Sequence, residues 1–138
     1  MTSDVTCQIQ RNEMIAILRK MARPQYQYDV WIKRQYDKER SGLDHCINFF
    51  FDDTFLYENL SSEIGKIIHQ SEAKAIAHFI KIFDKILDQE YEDTRTVEGV
   101  KQYISDPYWP DLIQSARKAL CVMAENDRSI SIPEEWKE

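Results

Sequence analysis

Adjacent carboxylates at Asp52 and Asp53 are the side chains of this sequence best suited to move a proton or hold a divalent cation. Either task needs further groups nearby. The three histidines are His45, His69 and His78. A di-iron site in a helical bundle would need repeated Glu-x-x-His motifs, and His69 with Glu72 supplies one pair in reversed order. A zinc site needs three or four converging ligands, and no spacing of that kind occurs. Cys46 lies beside His45, but adjacent residues on a helix diverge by about 100°, so they form no nucleophile–base pair. Cys46 falls on an apolar stripe and reads as a core thiol. A phosphate-cradling glycine loop and a GxSxG elbow are both missing. The sequence thus names no catalytic residue, metal ligand or cofactor. Asp52 and Asp53 are left with capping a helix, pairing with Lys33, Arg34 or the Trp31 indole, meeting a partner, or acid–base and metal chemistry of their own.

The elements that would position these groups are helices. Among 138 residues there are three glycines and four prolines, too few for the tight turns of an all-β domain. The predicted fold is all-α, a single compact bundle of about six to eight helices without a sheet. It occupies one domain over residues 1–138, with an extended tail from 126 to 138. A first helix is predicted over Thr6–Met21, where Met14, Ile17, Leu18 and Met21 share a face. A second is predicted over Pro24–Asp37, followed by a loop at Lys38–Gly42. Leu43, Cys46, Ile47 and Phe50 stand at offsets 0, 3, 4 and 7, and Phe49 and Phe51 widen that face. Acidic residues oppose the dipole at a helix C-terminus, so Asp52–Asp53–Thr54 reads as a turn or as the cap of the next segment. Leu60, Ile64, Ile67 and Ile68 predict a short helix capped by Ser61 or Ser62.

The clearest stripe starts near Ser71 and runs through Ile76, Phe79, Ile80, Phe83, Ile86 and Leu87. Burying each such side chain contributes ~1.5–3 kcal/mol, which makes this helix central. Asp93, Thr94 or Thr96 can start the next helix, with Val97, Val100, Tyr103 and Ile104 inward. Asp106 then reads as a cap, with Pro107 in the first helical position. Trp109, Leu112, Ile113, Ala116, Leu120 and Met123 form the last stripe. Trp109 is a core residue on this reading, while Tyr108 lies off the stripe. Ile130, Ile132 and Trp136 can pin the tail to the body.

The formal charge is −6, so a phosphate backbone is repelled and a basic partner is attracted. Bases dominate Arg11–Arg40, whereas acids dominate Asp52–Glu63 and Asp84–Asp93. Three widely spaced cysteines, Cys7, Cys46 and Cys121, suit a reducing compartment. The first residues lack a basic-then-apolar signal, and no apolar run reaches the ~18 residues needed to span a bilayer. The expected location is the cytoplasm, with no direct contact to nucleic acid or membrane.

Read in order, Tyr28–Asp29–Val30–Trp31, Ile47 to Thr54 (INFFFDDT), Ile64–Gly65 and Tyr103 to Trp109 (YISDPYW) resemble a family of small helical bacterial proteins. Some of its members are immunity proteins of contact-dependent growth inhibition systems. The resemblance spans about residues 12–123. It implies an immunity protein that binds the C-terminal toxin domain of a delivered effector, a basic nuclease such as an RNase, and blocks its active site by charge mimicry. The candidate partner-binding residues are Asp52, Asp53, Glu58, Asp84, Asp88 and Glu92, with Tyr57 and Tyr91 as aromatic contacts between the charges. Two other functions fit the residues: a helical adaptor or regulator with no toxin partner, and a small metal-dependent enzyme using Asp52 and Asp53. The sequence does not fix an oligomeric state.

Overall fold

The apolar stripes of the sequence close on one another around its last long helix. The computed structural model describes residues 5–33 and 42–137. Among them the chain is helical, without strands; an isolated bridge joins Ile64 to Ile68. The α-helices are α1 (Gln8–Met21), α2 (Pro24–Tyr26), α3 (Leu43–Asn48), α4 (Ala73–Leu87), α5 (Val97–Ile104) and α6 (Trp109–Asn126). α6 packs most extensively on α4 and α1. Met14, Leu18, Phe79, Phe83, Leu112 and Leu120 meet there without solvent exposure. No described helix is long and apolar enough to cross a membrane.

Most of the predicted elements are present, with shifted ends. Pro24 opens α2 at the first helical position, where its missing N–H leaves no gap. Thr96 is the cap of α5, its hydroxyl accepting the Gly99 N–H at 3.0 Å. The predicted end at Asp37 and most of the loop Lys38–Gly42 lie outside the described residues, although Gly42 itself precedes α3. The tail turns after Asn126, buries Ile130, half-buries Ile132 and Trp136, and ends in a 3₁₀ turn at Glu134–Trp136.

Three local predictions are corrected. Residues Leu60–Ile68 do not form a helix. A 3₁₀ turn covers Leu60–Glu63, and Gly65 then reverses the chain at φ +90, a conformation that L side chains rarely adopt. Ser61 and Ser62 bond to Asn59 instead of capping a helix. Asp106 does not cap α6 and Pro107 precedes it. The helix begins at Trp109 because Asp106 closes a turn of its own, accepting the Tyr108 N–H at 2.7 Å and the Trp109 N–H at 2.9 Å. The third correction concerns period. The short helices α2 and α3 continue as π-helical turns, Gln27–Ile32 and Phe49–Asp53. A π turn takes more residues per turn than an α turn, and Phe49 and Phe50, at the start of the second of these turns, are both buried.

A charge inside α1 ties the elements together. Arg11 has 0% exposure, and its guanidinium makes a bidentate pair with buried Glu72 at 2.8 and 2.8 Å. The same group donates to the Ile67 carbonyl at 3.0 Å, and its Nε stands 3.7 Å from Asp127. Glu72 also accepts the His69 N–H and the Asn126 amide, at 2.9 and 3.0 Å. Burial is the strongest single influence on the Glu72 carboxyl and pushes it up. The hydrogen bonds from Arg11, Asn126 and His69 together outweigh that push and hold it below its ordinary value. Burial likewise raises the Asp127 carboxyl, and the Ser129 hydroxyl and N–H together with Arg11 bring it below the usual range.

Breaking this pair on one side strands a buried charge. Arg11→Met is therefore expected to lower the unfolding free energy by about 3–5 kcal/mol, and Arg11→Met/Glu72→Met to recover part of that loss, as read by urea denaturation of the full cycle. The same pair sets an acid limit. Glu72 and Asp127 are depressed in the folded state, so the unfolded chain takes up their protons first as pH falls. Their stabilisation is complete above the ordinary value of 4.5 for Glu72 and drains as pH drops through the folded value. Urea midpoints taken between about pH 6 and about pH 3 should fall in that window.

Candidate functional site

The π turn that ends α3 delivers Asp52 and Asp53 to the surface, both exposed. Carboxylates at a helix C-terminus are locally unfavourable by roughly 0.3–1 kcal/mol, so secondary structure alone does not account for them. Thr54, not an aspartate, secures this end, its hydroxyl donating to the Phe49 carbonyl at 2.8 Å and accepting the Leu56 N–H at 3.3 Å. As for the other partners considered, Lys33 holds its ammonium 5.4 Å from the Tyr28 ring centroid, and Arg34 lies outside the described residues.

Beyond Thr54 the chain makes a short loop whose backbone is braced from below. Buried Glu63 accepts the Phe55 N–H at 2.9 Å, and the Phe55 carbonyl accepts the Asn59 N–H at 2.7 Å. This bracing leaves Phe55 59% exposed and Tyr57 46% exposed. Tyr57 is nonetheless positioned. Its ring lies 4.7 Å from Phe51, which meets Phe83 at 5.6 Å, and Phe83 meets Phe79 at 5.6 Å. A ladder of rings thus runs from the core to the surface. The Tyr57 hydroxyl donates to Asp84 on α4 at 3.4 Å. The negative charge of Asp84 is the main cause of a raised Tyr57 phenol, with burial, the hydrogen bond to Asp84, and the charges of Asp88 and Glu58 adding to it.

The candidate residues therefore fall into two groups. Glu58, Asp84 and Asp88 act on the Tyr57 phenol, and Asp52 and Asp53 directly follow Phe51, whose ring meets Tyr57. Phe55 belongs with this group, although the sequence reading missed it. Its signal was an aromatic side chain off every apolar stripe. Tyr91 and Glu92 belong elsewhere. Tyr91 is half-buried, its hydroxyl donates to Asp106 at 2.6 Å and its ring meets Tyr103 at 5.1 Å, so it braces the turn before α6. Glu92 is exposed, and its N–H donates to Gln102 at 2.9 Å.

Cys46 is fully buried, and burial pushes its thiol up to about 12, which suits a core residue rather than a nucleophile. Trp109 is buried as well and donates its indole N–H to Gln27 at 3.0 Å, while Tyr108 is exposed beneath the Lys85 ammonium. Among the described residues no three His, Cys, Asp or Glu side chains converge to hold a metal ion.

A family model described as a domain of unknown function, DUF7945, matches residues 7–131. No curated protein and no solved structure matches the chain.

The aromatic–acidic geometry has a direct spectroscopic consequence. Asp84→Asn removes the charge that most raises the Tyr57 phenol, so its titration should move back toward the ordinary value of 10.0. Residue-resolved NMR titration of the tyrosine rings reads this. The Tyr91 transition, set mainly by its hydrogen bond to Asp106, should stay in place.

Proposed function

The chain belongs to the DUF7945 family, and we propose that it is an immunity protein that binds and neutralises a cognate toxin domain, a nuclease of RNase type, by occluding its basic active site. The observation that carries this reading is the exposed Tyr57 ring, whose hydroxyl meets Asp84 and whose phenol feels Asp84, Asp88 and Glu58, on a segment that also exposes Asp52, Asp53 and Phe55. Interfaces draw much of their energy from central aromatic side chains, with charged groups around them setting partner and orientation. A ring already held by Phe51 and Asp84 loses little freedom on binding. Nuclease sites concentrate Lys and Arg because their substrate is anionic, and those cations pair with carboxylates presented at the right spacing. The net charge of −6 adds steering toward such a partner. The resemblance to contact-dependent growth inhibition immunity proteins supplies the class of toxin. In this mechanism the inhibitor transforms nothing; it fills the site that substrate needs.

The test is co-expression with the C-terminal fragment encoded immediately upstream, scored for cell survival and for a co-purifying complex. Survival with a stoichiometric complex is expected. Asp84→Lys/Asp88→Lys should abolish protection and weaken binding about 100-fold or more at low salt, because two attractive pairs become repulsive. Unchanged affinity would remove this face, and survival without any complex would remove the inhibitory reading.

A further inference from the structure

We propose that a cleft between the outer face of α6 and the C-terminal segment binds a small organic carboxylate with an aromatic or branched body. The site is separate from the acidic face and does not rest on the immunity reading. α6 spends one side on the core through Leu112, Ala116, Leu120 and Met123. Its opposite side, which in most surface helices faces water, is covered by the returning tail. The turn at Asp127–Ile130, closed by the Ile130 N–H donating to Asp127 at 3.2 Å, brings Ile132 and Trp136 back over that side. Trp136 is clamped there. The Arg117 and Arg23 guanidinium groups lie 5.1 and 5.9 Å from its ring centroid, and the Cys121 thiol donates to its carbonyl at 3.7 Å. Arg117 is fixed in turn by donating Nε to the Ala22 carbonyl at 3.0 Å.

The cleft is open to solvent along one side and has a volume of about 460 Å³, within the roughly 300–1,000 Å³ typical of small-molecule sites. Val122, Ala124, Ile132 and Trp136 give it an apolar lining. Among the described residues its charged lining is Arg117, Lys118 and Lys137 with one acid, Glu125, beside Gln114 and Cys121. Of these, Lys137 is paired with Glu134 at 3.4 Å, while Arg117 and Lys118 have no carboxylate partner among the described residues. A positive cleft on a chain of charge −6 runs against the background field. With Lys137 answered by Glu134, the adjacent Arg117 and Lys118 remain as the charges an anion can meet, and one that brings its own hydrocarbon also fills the pocket. A bare inorganic anion would leave the apolar lining unused, and an apolar molecule would leave Arg117 and Lys118 without a carboxylate.

Phenylacetate is the probe, with phenethylamine (same body, opposite charge) and acetate (same charge, no body) as controls, titrated into the full chain. The readout is residue-resolved NMR of the Trp136 indole N–H and the Val122 and Ile132 methyls. Saturable shifts with phenylacetate are expected, with little response to either control. The exposed Lys118→Glu variant should weaken binding about tenfold or more, and added salt should weaken it further. Should Lys118→Glu disturb the fold, Lys118→Gln carries the same test with a smaller loss. The proposal is overturned by absent or non-saturating shifts at these three residues, by an equal response to either control, or by undiminished binding in the Lys118 variant.

Discussion

Arg11 has no access to solvent, so its charge must be answered by protein, and the groups that answer it come from three separate parts of the chain. Ile67 supplies a carbonyl from the reversal at Gly65, Glu72 a carboxylate from the start of α4, and Asp127 a second carboxylate just past α6. Asn126, the last residue of α6, bonds Glu72 and so closes the network. The Thr6 and Cys7 N–H groups add backbone bonds to Gly65 and Lys66, at 3.0 and 2.7 Å. The pair costs desolvation and offers no large net stabilisation over an apolar substitute. What it supplies is a fixed register, since few arrangements of these segments satisfy a buried guanidinium.

Both candidate surfaces inherit that register. With α4 fixed at Glu72, the turns further along place Phe79 and Phe83 under Phe51, and Asp84 beneath the Tyr57 hydroxyl. At the other end, Asp127 starts the turn that sends the tail back across α6, where Trp136 meets Arg117. The acidic, aromatic face and the cationic cleft therefore sit on the same rigid frame while differing in sign. On the first, rings emerge among carboxylates; in the second, an indole and aliphatic side chains are ringed by cations.

The sequence revealed whatever depended on local periodicity. The stripes of α1, α4 and α6 were legible because an amphipathic helix repeats its apolar residues at a fixed spacing, and the burial of Ile76, Phe79, Leu112 and Met123 follows directly. Where periodicity misled, a single residue decided the outcome. Leu60, Ile64, Ile67 and Ile68 have helical spacing, yet Gly65 turns the chain among them. The π turns were invisible because they abandon the period being read. Arg11 reads as a surface residue, as a lone arginine on a helix does, and only the meeting of segments 56 and 61 residues apart shows otherwise. The candidate face was half legible. Acidic runs and aromatic side chains could be seen, but the union of Tyr57 with Asp84 and the diversion of Tyr91 to Asp106 depend on tertiary structure. The shared motifs divide in the same way: Trp31, Phe49, Phe50, Thr54, Asp106 and Trp109 are buried parts of the frame, while Asp52, Asp53 and Tyr108 are exposed.

Amide hydrogen exchange of the chain, alone and mixed with the C-terminal fragment encoded immediately upstream, the toxin domain proposed as its partner, tests the central claim most directly. Docking on the acidic, aromatic face should slow exchange in the segment from Asp52 to Asn59 and at the C-terminal end of α4, leaving the exposed side of α1 unchanged. Protection confined to α1 or to the tail, with residues 52–59 exchanging as in the free protein, would contradict it.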